Sequence, residues 1–592
     1  MKKWITLPPP PPEFIAEHPE LPAIITRLLW NRNLRTQEKI DEFLNPDYVG
    51  DIHDPFLFND MEKAVALIFD CIKNNKKITV HGDYDADGVC AAVVLISTLK
   101  KLGAQDTGIF LPHRETDGYG LNSRTVKLLK DTGTELIITC DCGISNTVEI
   151  TEAKALGLQT IITDHHAMPA VFPPADAIIH PLVPGERYPD KTLAGGGVAF
   201  KLAQALLKRH HETHEFLPGG ETHEGFEKWL LDMVSISTVG DMVPLVGESR
   251  ALVRYGLTVL NKTRNIGLQK LLISSGACDE NGKPKRGAYD THTIGFQIAP
   301  RINAAGRMDH ANVAFMLLMA ESEKEAEDLA FQLSANNADR QKMTEQLVAE
   351  ARAQIKETQQ ENNPILFVLG EGWPTGILGL IASRIKDEYY RPILAMGLNH
   401  DQITGSGRSV KELNLIEALK TMPEFFYKFG GHPQACGFSL KNKDVLADFK
   451  TTLLGKVTDL LKGIELSPQI IVDAEVDLAE INWNLYDLLQ QFQPFGQANE
   501  EPKYAAYGLT VAAVDALGQD GKHLRVTLKH NSQVAKKTIG FGLGDPGRHP
   551  ENWKENLKPG DKIDMVFTIG VNEWNGTREL QMIIEDIKHS TP

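Results

Sequence analysis

Between residues 78 and 165, short apolar runs end repeatedly in polar clusters. Ile78-Thr79-Val80 runs into HGDYDADG, and the GVCAAVVLISTLKKLG that follows has an apolar face and a closing glycine that predict a helix of about four turns. Leu136 to Cys140 ends at Asp141, a helical stretch follows near 145 to 156, and Thr160 to Thr163 ends at Asp164-His165-His166. Apolar strands alternating with helices predict a parallel α/β sheet, and such sheets place ligands at the carboxyl ends of their strands. The polar clusters stand at those ends.

Farther along, residues 312 to 360 are rich in Ala, Glu, Leu, Lys and Gln and lack Pro and Gly, which predicts one or two long connecting helices. Pro364 restarts the chain as Ile365 to Leu369, and the glycine-punctuated GEGWPTGILGLIASRI continues as a second strand-then-helix unit. After Asp520-Gly521, HLRVTLK alternates apolar Leu524, Val526 and Leu528 with polar neighbours, which predicts a half-buried strand with a basic face. Asn575-Gly576 is a hairpin signal before a β-type run around Leu580 to Ile584. The expected layout is a lead-in over 1–50, stiffened by Pro8 to Pro12, then an α/β domain over 51–311 and connecting helices over 312–360. A second α/β domain over 361–465 and an OB-like β-barrel over 466–592 complete it.

A chain of 592 residues exceeds what one core organises, in keeping with several domains. No stretch approaches the roughly 18 apolar residues of a membrane span. The opening MKKWITLPPPPPEF lacks an apolar segment, so no signal peptide is read and the cytoplasm is expected. Cysteines 71, 90, 140, 142, 278 and 436 form no CxxC pair and read as reduced thiols; Cys140 and Cys142 alternate along a strand and so face opposite ways. A net charge of −16 excludes a protein that grips nucleic acid with its whole surface, so any such path must be locally basic.

His81, Asp83, Asp85 and Asp87 fall in one loop whose Gly82 and Gly88 permit tight geometry, but the twelve-residue frame of a calcium-binding EF-hand is absent. The same chemistry recurs at Asp141, at Asp164-His165-His166 and at Asp241 in VGDMVPL. Carboxylates and imidazoles in this number suit two divalent ions, Mn²⁺ or Mg²⁺, which would polarise a phosphoryl group and activate water for in-line attack. Gly430 and Gly431 let backbone approach a phosphate, with His432 and Arg408 as donors. Phe492, Phe495, Tyr504 and Tyr507 are candidates for stacking bases of a single strand, or for barrel core.

The motifs DYDADG, DCG, DHH and GDMVPL, in this order, resemble the signature of the DHH phosphoesterase superfamily. PRINAAGR at 300 to 307, GSGRS at 405 to 409 and FGGHPQACGF at 429 to 438 resemble its single-strand-specific exonucleases and their DHH-associated domain, so the likeness runs from about 50 to 510. The resemblance implies that Asp85, Asp87, Asp141, His165 and Asp241 hold the metals, with Asp141 bridging and His81 and Asp83 as further members. His166 would face the scissile phosphate and Asp164 would orient the histidines. Arg114, Arg301, Arg307, Ser406, Arg408, Gly430, Gly431 and His432 would contact the substrate strand, and Pro374 stands where many relatives have a histidine. It further implies a 5′ to 3′ exonuclease releasing 5′-mononucleotides from single-stranded DNA in recombination and repair, beside a helicase and a single-strand-binding protein. The alternatives are a phosphodiesterase of cyclic dinucleotides or very short oligonucleotides, which has no need of the C-terminal β-domain, and a scaffold, which has no need of intact carboxylates.

Overall fold

The computed structural model describes residues 2–285, 287–518, 520–530, 535–545, 551–574 and 577–590. The chain divides into two compact units. No helix among the described residues is long and apolar enough to cross a membrane.

The larger unit comprises Asp54–Asp241 and Gly256–Leu466. Its first sheet is parallel, in the order Thr107–Phe110, Lys77–His81, Thr134–Cys140, Gln159–Thr163, Ala177–Ile179. The central strands are buried: the mutually packed helices Ala86–Lys101 and Gly195–His211 cover them, and Ser123–Asp131 and Thr147–Ala155 form a separate core with Ile137 and Ile162. Lys77–His81 lies between Thr107–Phe110 and Thr134–Cys140, so the chain departs in both directions from it, the switch point at whose carboxyl ends such sheets bind their ligands.

Residues Asn312–Leu318 form a short helix and Glu323–Glu357 a 35-residue one capped by Ser322, whose hydroxyl accepts from the Glu325 amide. A mixed sheet follows in the order Phe426–His432, Ala435–Leu440, Gln402–Arg408, Ile393–Asn399, Leu366–Glu371. The helix Thr375–Tyr389 packs on it, with Pro374 as the extended residue before its first turn.

The smaller unit joins Met1–His53, Met242–Tyr255 and Ser467–Pro592. Strands Tyr504–Leu517, His523–Lys529, Ala535–Gly540, Thr577–His589 and Lys562–Trp574 pair in that order, and the last pairs back onto the first to close a five-stranded barrel. Leu524, Val526 and Leu528 point into its core. The expected Asn575-Gly576 turn lies outside the described residues, while the flanking strands pair up to Trp574 and Thr577.

The first fifty residues are more than a lead-in. Lys3–Thr6 forms a parallel pair with Gln469–Val472, and Pro11 and Pro12 end the proline run by opening a helix, Pro12–Glu17. Phe14, Ile25, Leu28 and Leu29 bury themselves in the same core as Tyr504 and Phe567, since their apolar faces have no other partner. Arg250, 1% exposed, donates to the carbonyls of Phe43, Gln491 and Gln493 at 2.5, 3.0 and 2.7 Å, and so ties all three segments of this unit together. Phe492 and Tyr504 are core residues, with no exposed ring to stack on a base; Tyr507 is 38% exposed.

A candidate metal centre and its basic flank

The polar clusters converge because every one follows a strand of the same parallel sheet or the end of a helix packed on it. Asp85 caps the helix Ala86–Lys101, accepting from the amides of Asp87 at 3.0 Å and Gly88 at 3.2 Å. Asp141, the residue after Thr134–Cys140, takes φ +60° while its amide donates to the Thr163 carbonyl at 3.0 Å. That left-handed conformation is tolerated by aspartate, and backbone strain of this kind collects at functional sites. Asp241 ends the helix Leu231–Gly240.

Asp87 is held from three directions. The amides of Gly195 and Gly196, at the start of the Gly195–His211 helix, donate to its two oxygens at 2.8 and 2.7 Å, and Ser237 Oγ donates at 2.6 Å. A Cβ on Gly195 would stand 2.5 Å from that of Asp141, so only glycine permits this approach.

Three ligand sets result, each with its donor atoms within 4.8 Å of one another: Asp141, His165 and His166; Asp87, His165 and Asp241; Asp83, Asp85 and Asp141. His165 Nε2 lies 3.2 Å from Asp141 Oδ1 and 3.6 Å from both Asp87 Oδ2 and Asp241 Oδ2. Yet Asp83 Oδ1, Asp141 Oδ1 and His165 Nε2 are buried with no hydrogen-bond partner. Burial, then mutual repulsion, raises the pKa of Asp83, Asp85 and Asp141, and raises Asp241 to about 8. Unpaired buried carboxylate oxygens beside an imidazole nitrogen are what divalent cations satisfy, so the residues present fit the expected ions.

Asp85, Asp87, Asp141, His165 and Asp241 all fall in these sets; so do Asp83 and His166. His81 does not. It is fully buried and stacks on Phe110 at 5.3 Å, burial lowers its pKa to about 4, and its Nε2 too is buried without a hydrogen-bond partner. Asp164 also stays outside and accepts from His166 Nδ1 at 2.8 Å and from the amides of His165, His166 and Ile144. Cys142 Sγ sits 3.7 Å from His81 Nδ1, and burial raises the pKa of both Cys140 and Cys142, so neither offers a thiolate.

Sequence reasoning missed several members. Tyr119 Oη lies 3.1 Å from both the Asp141 carbonyl, to which it donates, and His166 Nδ1. Asn303 Oδ1 accepts from the Ala86 amide at 2.8 Å, which explains the asparagine of PRINAAGR, and Gly306 of the same motif lies against the Tyr84 carbonyl. The His180 ring reaches the His166 carbonyl at 2.9 Å.

On the flank, arginines gather. Arg114 lies over the Tyr84 ring at 3.9 Å, and Arg307 donates to the Gly376 carbonyl at 2.5 Å, linking the first α/β domain to the helix of the second. Arg114, Arg307 and Arg340 each bury an Nε without a partner. Burial, reinforced by Arg114 and Arg340, lowers Arg307 to about 10. Arg301 donates to the Gln297 carbonyl and to Ser334 Oγ, with Arg340 as its charged neighbour. In the second sheet His432 pairs with Ala435 and Ala435 with Arg408; Gly430 pairs with Gly437 and Gly437 with Ser406. Residues two apart share a face, so Ser406, Arg408, Gly430 and His432 lie on one face, with Gly431 between. Arg408 Nη1 donates to Ser406 Oγ at 3.0 Å, and both approach Gly379 of the covering helix.

Comparison with known proteins agrees with this architecture. Three family models match: the DHH family N-terminal domain over residues 77–237, the DHHA1 domain over 362–459 and the RecJ OB domain over 472–586. The chain is 35% identical over 574 residues to the single-stranded-DNA-specific exonuclease RecJ of Bacillus subtilis, covering 97% of this chain and 69% of the relative. It is 31% identical to that of Salmonella typhimurium, covering 96% of each. The crystal structure of RecJ in complex with Mn²⁺ from Thermus thermophilus superposes with a TM-score of 0.81 at 26% identity, over 100% of this chain and 80% of that one. The chain belongs to the RecJ family.

Proposed function

We propose that this chain is a single-strand-specific exodeoxyribonuclease that removes 5′-mononucleotides from the 5′ end. One observation carries the reading: unpartnered buried carboxylate and imidazole atoms at the strand ends stand beside unpartnered buried arginine nitrogens. The first group calls for cations and the second for phosphate. The single-stranded-DNA-specific exonuclease activity of the relatives supports the substrate, and the family resemblance supports the direction.

Asp83, Asp85, Asp87, Asp141, His165 and Asp241 would hold two ions, Mn²⁺ or Mg²⁺. When bound, these supply Lewis acidity toward a phosphoryl group and an activated water. The chain's own residues do the rest. The Gly195 and Gly196 amides and Ser237 fix Asp87, and Asp164 fixes His166 through Nδ1, leaving Nε2 to face the scissile phosphate. Arg114, Arg307 and Arg340 receive backbone phosphates as a locally basic track on an acidic protein, while Ser406, Arg408, Gly430, Gly431 and His432 form a second phosphate-binding face. Arg301 remains a contact for the strand farther along. The setting is cytoplasmic recombination and repair, where a helicase and a single-strand-binding protein would supply and cover the strand.

The test is digestion of 5′-labelled and 3′-labelled single-stranded oligonucleotides beside a duplex. Immediate release of 5′ label as mononucleotide, from single strands alone, supports the reading. Intact long strands with hydrolysis of dinucleotides or cyclic dinucleotides would replace it with the small-substrate phosphodiesterase.

A further inference from the structure

Away from the catalytic centre, four histidines meet where the Gly195–His211 helix ends and the His223–Trp229 helix begins. His210 Nδ1 lies 2.8 Å from His223 Nε2, the His210 ring stacks on that of His214 at 4.2 Å, and the His211 ring stands 4.8 Å from that of His223. His223 is 6% exposed, and its other nitrogen, Nδ1, is buried without a hydrogen-bond partner. Gln204, 7% exposed, has an Oε1 in the same condition. Both residues line one cleft of about 220 Å³, together with His211, Glu224 and Glu227.

A buried ring nitrogen with no partner is costly unless something meets it. The contact with His210 anchors the opposite nitrogen of His223, which is how proteins orient an imidazole toward a metal. Burial and the neighbouring histidines lower the pKa of His210 and His223, so the rings are neutral, the form that ligates. Imidazole nitrogen combined with carboxylate oxygen favours zinc-type ions over magnesium or calcium.

We propose that this cleft is a second metal site, taking a divalent ion of the zinc type on His223 Nδ1, the His211 ring and a glutamate of the same cleft, Glu224 or Glu227. His211 and Glu224 are exposed; Glu224 accepts from Lys228 Nζ at 2.6 Å and Glu227 from Gln204 Nε2 at 2.8 Å, contacts that the ion would replace. The ion would fasten the far end of the helix whose first amides hold Asp87.

The test uses full-length, metal-stripped protein titrated with Zn²⁺ alone. Bound zinc per chain is measured in an Asp141→Ala background, with and without His211→Ala or His223→Gln. The expected result is one zinc fewer in each histidine variant; equal zinc content with and without the histidine changes overturns the proposal. His211 is exposed, so its variant remains informative if His223→Gln fails to fold. With Asp141 intact, His211→Ala keeps its Mn²⁺-dependent nuclease rate, and a rate that falls in step with zinc loss would assign the ion to the catalytic centre instead.

Discussion

His166 Nδ1 and Asp164 Oδ1 are joined by a 2.8 Å hydrogen bond on the floor of the metal centre. Burial opposes charge on both, but the bond and the attraction across it prevail, so Asp164 is lowered to about 2 and His166 raised to about 9. The same carboxylate collects three backbone amides. Asp164→Asn keeps the shape and loses the charge that orients both histidines. The initial rate of mononucleotide release should fall roughly 10- to 100-fold with an unchanged circular dichroism spectrum. A variant with the parental rate would remove Asp164 from the account.

Gly196→Ala places a Cβ 2.4 Å from Ser237 Oγ and 2.6 Å from its Cβ. Overpacking of this kind costs about 1–3 kcal/mol and pushes two of the donors to Asp87 apart. Thermal unfolding should shift down and manganese affinity weaken together. Ser237→Ala removes only the hydroxyl, so it should weaken manganese binding with a stability loss of about 1 kcal/mol. Parental affinity in both variants would contradict the role given to the Gly195–His211 helix.

Asp232, 3% exposed, has its pKa raised to about 6 by burial, although Thr263 Oγ1 and the Met233 amide each donate to it at 2.7 Å. The folded state therefore holds a proton that the unfolded state has released between pH 4 and pH 6. Stability falls as pH rises through that window and stays lower above it. Asp232→Asn lacks this group, so its stability relative to the parent should improve by about 2 kcal/mol between pH 4 and pH 7. Parallel pH profiles in thermal unfolding would show that the group does not titrate there.

The ligand clusters were legible because each is local: a short apolar strand, then carboxylates, then a helix. What holds them was not. Gly195 and Ser237 reach Asp87 from 108 and 150 residues away, and small residues in apolar helices carry no polar signal. Arg340 lies in a helix that reads as a solvated charged face. His81, adjacent in sequence to the ligand loop, ends a strand and lies buried beside Phe110, a placement that local spacing does not encode. The N-terminal fifty residues hid their role for a similar reason: Lys3 finds its strand partner at Gln469, and proline-rich composition masks the helices that follow.

Arg408 and Arg340 have no carboxylate partner among the described contacts and are buried enough for their pKa values to fall. Substituting either by alanine should raise KM for long single strands about tenfold with a smaller change in kcat. It should also flatten the slope of log affinity against log salt by about 0.7 per lost phosphate contact. An unchanged salt slope would mean that the arginine serves packing alone.

Asp141 stands at the heart of the centre, its Oδ1 buried and unpartnered amid Asp83, Asp85, His165 and His166. The most direct measurement is the rate of 5′-mononucleotide release from a single-stranded oligonucleotide across a manganese titration, for the parent and Asp141→Asn. The parent should release mononucleotide only with metal, and the variant should lose at least about a thousandfold at saturating manganese, as expected when a group acting on the transition state is removed. Comparable rates in the two proteins, or release that ignores manganese, would contradict it.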